Sequence, residues 1–218
     1  MKRALIIGAT GGIGAAVCAE LDIRGYEVVG LSRCDGLDVT NPESVVQVMG
    51  GLDGVFDVVL VAIGTLAAGG TPEKSLAAID AEVMAQVYEI NVIGPALILA
   101  QIERVLAVDA PSVVGVLSAR VGSIGDNKIG GWHSYRASKA ALNQIVHGAA
   151  IEIGRRRKQA AVVALHPGTV ETPFTVGYPG HSKVSAADAA VNLCNVMNDL
   201  DATQSGLFFD YSGAVVPW

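Results

Sequence analysis

Short apolar runs alternate with longer amphipathic segments along the chain, and this alternation predicts the order of strands and helices. Apolar runs typical of buried strands lie at residues 3–7, 27–31, 57–62, 113–117, 160–165 and 207–210. Amphipathic segments predict helices at about residues 13–24, 42–49, 79–107, 134–155 and 185–197. Two helix starts have N-cap signals: Asn41 stands before Pro42, and Ser185 stands before a first turn that contains Asp188.

The regular change from strand to helix predicts an α/β fold. Parallel strands joined by right-handed helical crossovers form a doubly wound parallel sheet with helices on both faces. The chain is 51% apolar and only 5% aromatic, which suits buried strands and closely packed helices. No linker, repeat or low-complexity segment interrupts the pattern, so we expect a single domain over residues 1–218.

Composition argues against several classes of function. The net charge of −6 argues against a nucleic-acid partner, which would require a basic face. The three cysteines and four histidines lack metal-ligand spacing, which predicts reduced thiols and no metal site. The apolar run after Lys2 and Arg3 breaks into glycines, unlike a secretory signal, and no stretch reaches the roughly 18 unbroken apolar residues of a membrane span. We therefore expect a cytoplasmic protein with no membrane partner.

A glycine-rich turn, GATGGIG, follows the first predicted strand and opens the first predicted helix. At this place in an α/β chain, a dinucleotide pyrophosphate can meet the N-terminus of the helix. Gly8 permits the tight turn, while Gly12 and Gly14 permit close approach of backbone to phosphate and of helix to strand. The alternative is a merely flexible turn in a glycine-rich protein.

The stretch WHSYRASKAALNQ places Tyr135 four residues before Lys139, about one helical turn, so the phenol and the ammonium share a face. Alone the spacing is a weak signal, since ordinary solvated helices also contain it. Chemically, a tyrosine has a reference pKa of about 10, and a nearby ammonium favours the phenolate and lowers that pKa. The pair is therefore a candidate for proton transfer.

Taken in order, these motifs resemble the short-chain dehydrogenase/reductase family. The glycines are spaced Gly-x-x-x-Gly-x-Gly, and Tyr-x-x-x-Lys follows downstream; LDVT, NVIG and PGTVET also match family landmarks. The resemblance spans nearly the whole chain and implies a Rossmann-type fold and hydride transfer with a nicotinamide dinucleotide. Within the family, SARVGSIG and ALHPGTVET are most similar to the sniffer and C-factor branch of small carbonyl-reductase-like proteins.

The resemblance implies roles for individual residues. Tyr135 would be the general acid or base, Lys139 would also hold the nicotinamide ribose, and Asn91 would hold a water that links Lys139 to solvent. An alternative for Asn91 is a polar residue that bonds its own helix backbone. The implied cofactor site consists of Gly8, Thr10, Gly12, Ile13, Gly14, Ser32, Arg33, Asp38, Val39, Ala62, Gly64, Tyr135, Lys139, Pro167, Gly168, Val170 and Thr172.

The end of the second strand bears on which dinucleotide is bound. An NAD site usually offers a carboxylate here for the ribose 2′-hydroxyl, whereas this chain has Ser32 and Arg33. A hydroxyl and a guanidinium suit a 2′-phosphate, so NADP(H) is favoured over NAD(H). Against this, Asp35 is close by, and Gly11 stands where many NADP-dependent relatives have a basic residue. The alternative for Arg33 is an exposed loop arginine.

The chain departs from the family pattern at the serine that bonds the substrate oxygen. That position holds Ala119, which cannot donate a hydrogen bond, and the preceding Ser118 would point to the opposite side if strand alternation continues. Ser123 is the nearest substitute as a fourth catalytic residue, or else a structural turn serine. A second departure is Ala62, which replaces the family's sheet-bracing asparagine.

The leading hypothesis is an NADP(H)-dependent oxidoreductase acting on a small carbonyl or alcohol. The alternatives are a C-factor-like signalling or regulatory protein with weak or no catalysis and, less favoured, an isomerase or epimerase. We expect residues 174–183 to cover the substrate, with Trp132, Tyr178 and Trp218 lining the pocket or a subunit contact. The resemblance also implies a homodimer or homotetramer.

Overall fold

The computed structural model describes residues 1–175 and 183–218. The strands are β1 (Arg3–Ile7), β2 (Glu27–Leu31), β3 (Val58–Val61), β4 (Ser112–Leu117), β5 (Ala160–His166) and β6 (Phe208–Asp210). The α-helices are α1 (Gly12–Ile23), α2 (Pro42–Gly50), α3 (Ala81–Tyr88), α4 (Gly94–Ile102), α5 (His133–Gly154) and α6 (Ala186–Asn198).

All six strands belong to one parallel sheet in the order β2-β1-β3-β4-β5-β6. The chain first moves outwards from β1 to β2 and then returns past β1 to add β3 and the later strands. In sheets of this kind, ligands bind beyond the carboxyl ends of the strands, where the direction of winding reverses. The doubly wound α/β prediction is therefore confirmed, and the reversal between β1 and β3 marks the expected ligand position.

The sheet is buried between two helical layers. On β4, Val114 and Val116 pack in the cluster that contains α2, α4 and α5, whereas Val113 and Leu117 pack in the cluster with α1 and α6. This two-sided burial explains why the strands read as continuous apolar runs. Full burial of each such side chain contributes about 1.5–3 kcal/mol.

Both predicted N-caps are confirmed. The Asn41 Oδ1 atom accepts hydrogen bonds from the backbone N–H groups of Glu43 and Ser44, at 2.9 and 3.3 Å. The Ser185 hydroxyl accepts from the N–H of Asp188 at 3.0 Å. These bonds satisfy amide groups that the first turn of each helix leaves without an intrahelical partner.

The long helical segment predicted at residues 79–107 is confirmed over Ala81–Val105, although its geometry is not α-helical throughout. A π-helical turn, Glu89–Ile93, separates α3 from α4, and a 3₁₀ turn, Glu103–Val105, follows α4. Pro95 accounts for the first interruption, because it lacks an N–H to bond the carbonyl of Asn91 and its ring crowds that carbonyl. The helix is therefore widened at Asn91, a predicted site residue.

By length and composition, the combined segment Ala81–Val105 could cross a membrane. The core helix of a soluble protein meets the same criterion. Here Ile98, Leu99 and Ile102 are buried in the main core cluster, so packing in the core accounts for part of the segment's apolar character.

Candidate functional site

A cavity of about 720 Å³ lies at the carboxyl ends of the strands. Its wall is formed by the glycine turn after β1, the loops after β3, β4 and β5, and the start of α5. A smaller cavity of about 320 Å³, near Lys2 and Tyr26, contains none of the predicted site residues. Twelve predicted residues line the large cavity: Thr10, Gly12, Ile13, Gly14, Ala62, Gly64, Tyr135, Lys139, Pro167, Gly168, Val170 and Thr172.

The glycine turn packs so closely that its glycines cannot be replaced freely. Gly8 has φ +91°, and a Cβ there would collide with the carbonyl of Ala62. A Cβ on Gly12 would lie 2.7 Å from the Cγ2 atom of Thr172. Two motifs separated by 160 positions in the sequence, GATGGIG and PGTVET, therefore touch at the cavity wall.

Tyr135 and Lys139 are both buried on α5 and face this cavity. The Lys139 Nζ atom lies 5.9 Å from the centroid of the Tyr135 ring and donates a hydrogen bond to the Leu117 carbonyl at 3.0 Å. Burial lowers the pKa of Lys139 to about 8 and raises the pKa of Tyr135 well above its ordinary value. Desolvation of Tyr135 thus opposes the lowering of its pKa that is expected from the lysine ammonium.

Two aromatic rings flank the Tyr135 ring. Trp132 and Phe174 meet it edge to face, with centroid distances of 6.3 and 6.0 Å, and both line the cavity. Trp218 instead stacks on Phe208 at 5.7 Å and does not line the cavity. Tyr178, and most of the expected cover at residues 174–183, lies outside the described residues. The aromatic wall leaves Tyr135 in a largely apolar environment.

Asn91 is fully buried, and its side chain joins three segments of the chain. Its Oδ1 atom accepts from the N–H of Thr65 at 2.7 Å, and its Nδ2 donates to the Thr65 carbonyl at 2.8 Å and to the Ser138 hydroxyl at 3.0 Å. The amide thus bonds the loop after β3 and helix α5, not its own helix backbone. Asn91 supports the walls of the cavity without lining it.

The family's substrate-bonding serine is replaced in this chain by Ala119, just after β4. Ser118 and Ala119 both line the cavity, and the Ser118 hydroxyl is engaged there, since it donates to the Oδ1 atom of Asn143 on α5 at 2.6 Å. Ser123 is buried, accepts a hydrogen bond from the N–H of Asp126 at 3.1 Å, and lies outside the cavity lining. This placement fits its alternative interpretation as a turn serine.

Four predicted cofactor residues, Ser32, Arg33, Asp38 and Val39, lie at the end of β2 and beyond it, outside the cavity lining. The Ser32 hydroxyl donates to Asp35 at 2.8 Å, and the same carboxylate accepts from the Ser32 N–H at 2.9 Å. Arg33 is exposed beside this turn. The Asp38 carboxylate accepts from the N–H and hydroxyl of Thr40, and Val39 packs against Gly94. Asp35 is thus engaged within its own turn, next to an exposed guanidinium.

Sequence reasoning missed three residues of the cavity wall with basic side chains: Arg120, Arg136 and His166. Their positions were visible, since Arg136 directly follows Tyr135 and His166 precedes Pro167. Burial lowers the pKa of His166 to about 4, against an opposing effect of Asp210, so its imidazole is neutral at pH 7. Nothing in the strand pattern indicated that these side chains turn into the cavity.

Comparison with known proteins agrees with the fold and the motif order. A family model described as enoyl-(acyl carrier protein) reductase matches residues 32–208. A 1-hydroxy-2-glutathionyl-2-methyl-3-butene dehydrogenase of a Rhodococcus species is 31% identical over the full length of both chains. The C-signal protein of Myxococcus xanthus is 35% identical over 66% of this chain and 84% of its own length. The chain belongs to the short-chain dehydrogenase/reductase family.

A solved structure of similar shape comes from Burkholderia multivorans. It is described as a short-chain dehydrogenase/reductase with bound NADP, is 26% identical, and superposes with a TM-score of 0.85 over 100% of this chain and 99% of that one. The sheet order and flanking helices described above are therefore those of a Rossmann-type fold, as predicted.

Proposed function

We propose that the protein transfers hydride between NADP(H) and a small carbonyl or alcohol substrate. The observation that carries the proposal is the buried pair Tyr135 and Lys139, which lines the same cavity as the glycine turn. The dehydrogenase name of the Rhodococcus relative supports the reaction class, and the NADP in the Burkholderia structure supports the cofactor.

The residues present fit a dinucleotide. Gly12, Ile13 and Gly14 line the cavity at the N-terminus of α1, which favours the negative charge of a phosphate. At the end of β2, the exposed Arg33 is placed to bond a 2′-phosphate, while Asp35 already accepts two hydrogen bonds from Ser32. This combination favours NADP(H) over NAD(H).

The chain's own residues would manage the proton. When bound, the nicotinamide supplies the hydride in carbonyl reduction. Because burial raises its pKa, Tyr135 is protonated at neutral pH and can give its proton to the substrate oxygen. Lys139, with a pKa lowered to about 8, can return a proton to the phenolate and stabilise it meanwhile. Asn91 holds the loop after β3 and helix α5 together around this pair through Thr65 and Ser138.

A cytoplasmic location and a homo-oligomeric state are part of the same proposal. The regulatory alternative is not favoured, since the relative matched over its full length is named as a dehydrogenase. The proposed reaction accounts for the buried tyrosine and lysine, whereas a silent dinucleotide sensor would not require them.

The test combines binding and turnover. We expect NADPH to quench intrinsic fluorescence with a micromolar Kd and NADH to bind at least tenfold more weakly, and a panel of aldehydes and ketones to show NADPH oxidation. Tyr135→Phe should lower kcat by about 10²–10⁴-fold while NADPH still binds. Tyr26→Phe, beside the smaller cavity, is the matched control and should retain activity. Absence of binding by both dinucleotides, or full activity of Tyr135→Phe, would refute the proposal.

A further inference from the structure

The charged side chains of the cavity wall are all of one sign. Among the described residues that line it, Arg120, Arg136 and Lys139 are cationic and none is a carboxylate, although the chain as a whole has a net charge of −6. Lys139 belongs to the proposed proton-transfer pair. The two arginines therefore remain to be explained.

Arg120 is already neutralised by the protein. Its Nε atom lies 2.6 Å from Asp126, and its Nη1 atom lies 3.6 Å from Asp210. An arginine with two carboxylates has little left to offer an anionic ligand. Arg120 is therefore better explained as part of an ion-pair cluster at the ends of β4 and β6.

Arg136 differs, because no carboxylate approaches it among the described residues. Its Nη1 donates to the Val121 carbonyl at 3.3 Å, and its Nε is buried without a partner. The segment 176–182 reads VGYPGHS and contains neither Asp nor Glu, so it offers no carboxylate either. Because Nε is enclosed, the Nη2 end of the guanidinium is the part left to a ligand at the cavity wall, where its N–H groups and positive charge suit a carboxylate oxygen.

The position of Arg136 separates it from the phosphates of a dinucleotide. It follows Tyr135 on α5 and bonds the loop after β4, whereas the glycine turn follows β1. β3 lies between β1 and β4, so the two places are about 10 Å apart along the sheet edge, at roughly 4.8 Å per strand. A group bound by Arg136 would belong to the molecule whose oxygen meets Tyr135.

We propose that the substrate is a carbonyl or alcohol compound that has a carboxylate, and that Arg136 binds this carboxylate through the Nη2 end of its guanidinium. The inference rests on the proposed function for the reacting oxygen. It adds the chemical class of the substrate and a residue that selects it. The apolar remainder of the wall, including Trp132 and Phe174, would contact the hydrocarbon part of the substrate, between its reacting oxygen and its carboxylate.

A matched pair of aldehydes tests the inference: 4-carboxybenzaldehyde and its methyl ester, methyl 4-formylbenzoate. With NADPH, we expect kcat/KM to be about 10- to 100-fold higher for the acid, the ratio that a charge-assisted hydrogen-bond pair provides. Arg136→Ala should reduce this ratio to about one, and Arg136→Lys should give an intermediate value, since it keeps the charge without the fork. Arg155→Ala, which removes an exposed arginine after α5, is the control and should keep the wild-type ratio.

A binding measurement keeps the inference separate from the proposed reaction. Calorimetry of both aldehydes with NADPH-loaded protein should show tighter binding of the acid in the wild type and equal binding in Arg136→Ala. If neither aldehyde is reduced but this binding difference is found, the reaction class fails and the inference stands. Equal binding or turnover of acid and ester in the wild type would overturn it, as would loss of the preference in Arg120→Ala but not in Arg136→Ala.

Discussion

The carboxylate of Glu73 caps the first turn of α5 at Ser134, the residue before Tyr135. One carboxylate oxygen accepts from the Ser134 N–H at 3.3 Å, and the other accepts from the Ser134 hydroxyl. The Glu73 carbonyl also accepts from the N–H of Trp132 at 2.5 Å. A loop 61 residues earlier in the chain thus supplies the N-cap that Trp132, in a left-handed conformation with φ 52°, cannot supply itself.

Removing this cap should weaken the start of α5. We expect Glu73→Ala to lower the free energy of unfolding by about 1–2 kcal/mol, measured by urea denaturation, because the first-turn N–H of Ser134 loses its acceptor. We also expect a larger loss in kcat than in the affinity for NADPH, since Tyr135 is displaced while the glycine turn is not. Glu73→Gln, which keeps one acceptor oxygen, should recover part of both losses.

Glu152→Ala is the matched control for the cap, since Glu152 is an exposed carboxylate near the other end of the same helix. It should change stability by less than about 0.5 kcal/mol. Equal effects at Glu73 and Glu152 would show that the cap does not position Tyr135.

Gly12 and Thr172 are so close that a larger side chain at position 12 should weaken cofactor binding. A Cβ on Gly12 would lie 2.7 Å from the Thr172 Cγ2 atom, so Gly12→Ala should move the two motifs apart and raise the Kd for NADPH at least tenfold. Gly148→Ala provides the contrast, since nothing lies within 4 Å of a Cβ there in the middle of α5. That variant should bind NADPH normally and gain about 0.5–1 kcal/mol of stability in thermal unfolding.

Ala119 offers a gain-of-function test. If the substrate oxygen lies between Tyr135 and residue 119, Ala119→Ser adds a second donor to that oxygen and should raise kcat/KM for carbonyl reduction about 3- to 10-fold. Ala137→Ser on α5, outside the cavity lining, is the control for adding a hydroxyl. Unchanged or lower activity in Ala119→Ser would show that the substrate oxygen is held elsewhere.

Lys139 predicts a pH dependence of stability. Burial lowers its pKa from 10.5 to about 8, so between these values the unfolded chain holds a proton that the folded chain has released. Unfolding then takes up a proton, and the contribution of Lys139 to stability rises with pH in this window, by about 3 kcal/mol over its full width. Relative to Lys139→Met, the wild type should therefore gain stability between pH 7.5 and 9.5. A constant difference in urea-unfolding free energy would mean that Lys139 is not desolvated.

Local patterns predicted much of the fold and part of the site. The glycine turn and the Tyr135–Lys139 pair are encoded by spacing within a short length of chain, so the sequence alone suffices to recognise them. The cap at Ser134 depends on Glu73, and the unpaired charge of Arg136 depends on which carboxylates are absent around it. Such facts arise from contacts between distant segments. The interruption at Asn91 could have been predicted from Pro95, because proline lacks the N–H that would bond the carbonyl four residues earlier. A hydrophobic pattern contains no information about that N–H.

The hydrogen bond of Asn91 makes the Thr65 N–H a probe of opening at the site. The Thr65 N–H donates to the buried Asn91 Oδ1 atom, and the same amide reaches Ser138 on the helix of Tyr135. Deuterium can replace the Thr65 amide proton only when this link opens. The exchange rate of that single proton would therefore measure how often the loop after β3 separates from Asn91, without any substrate in the sample.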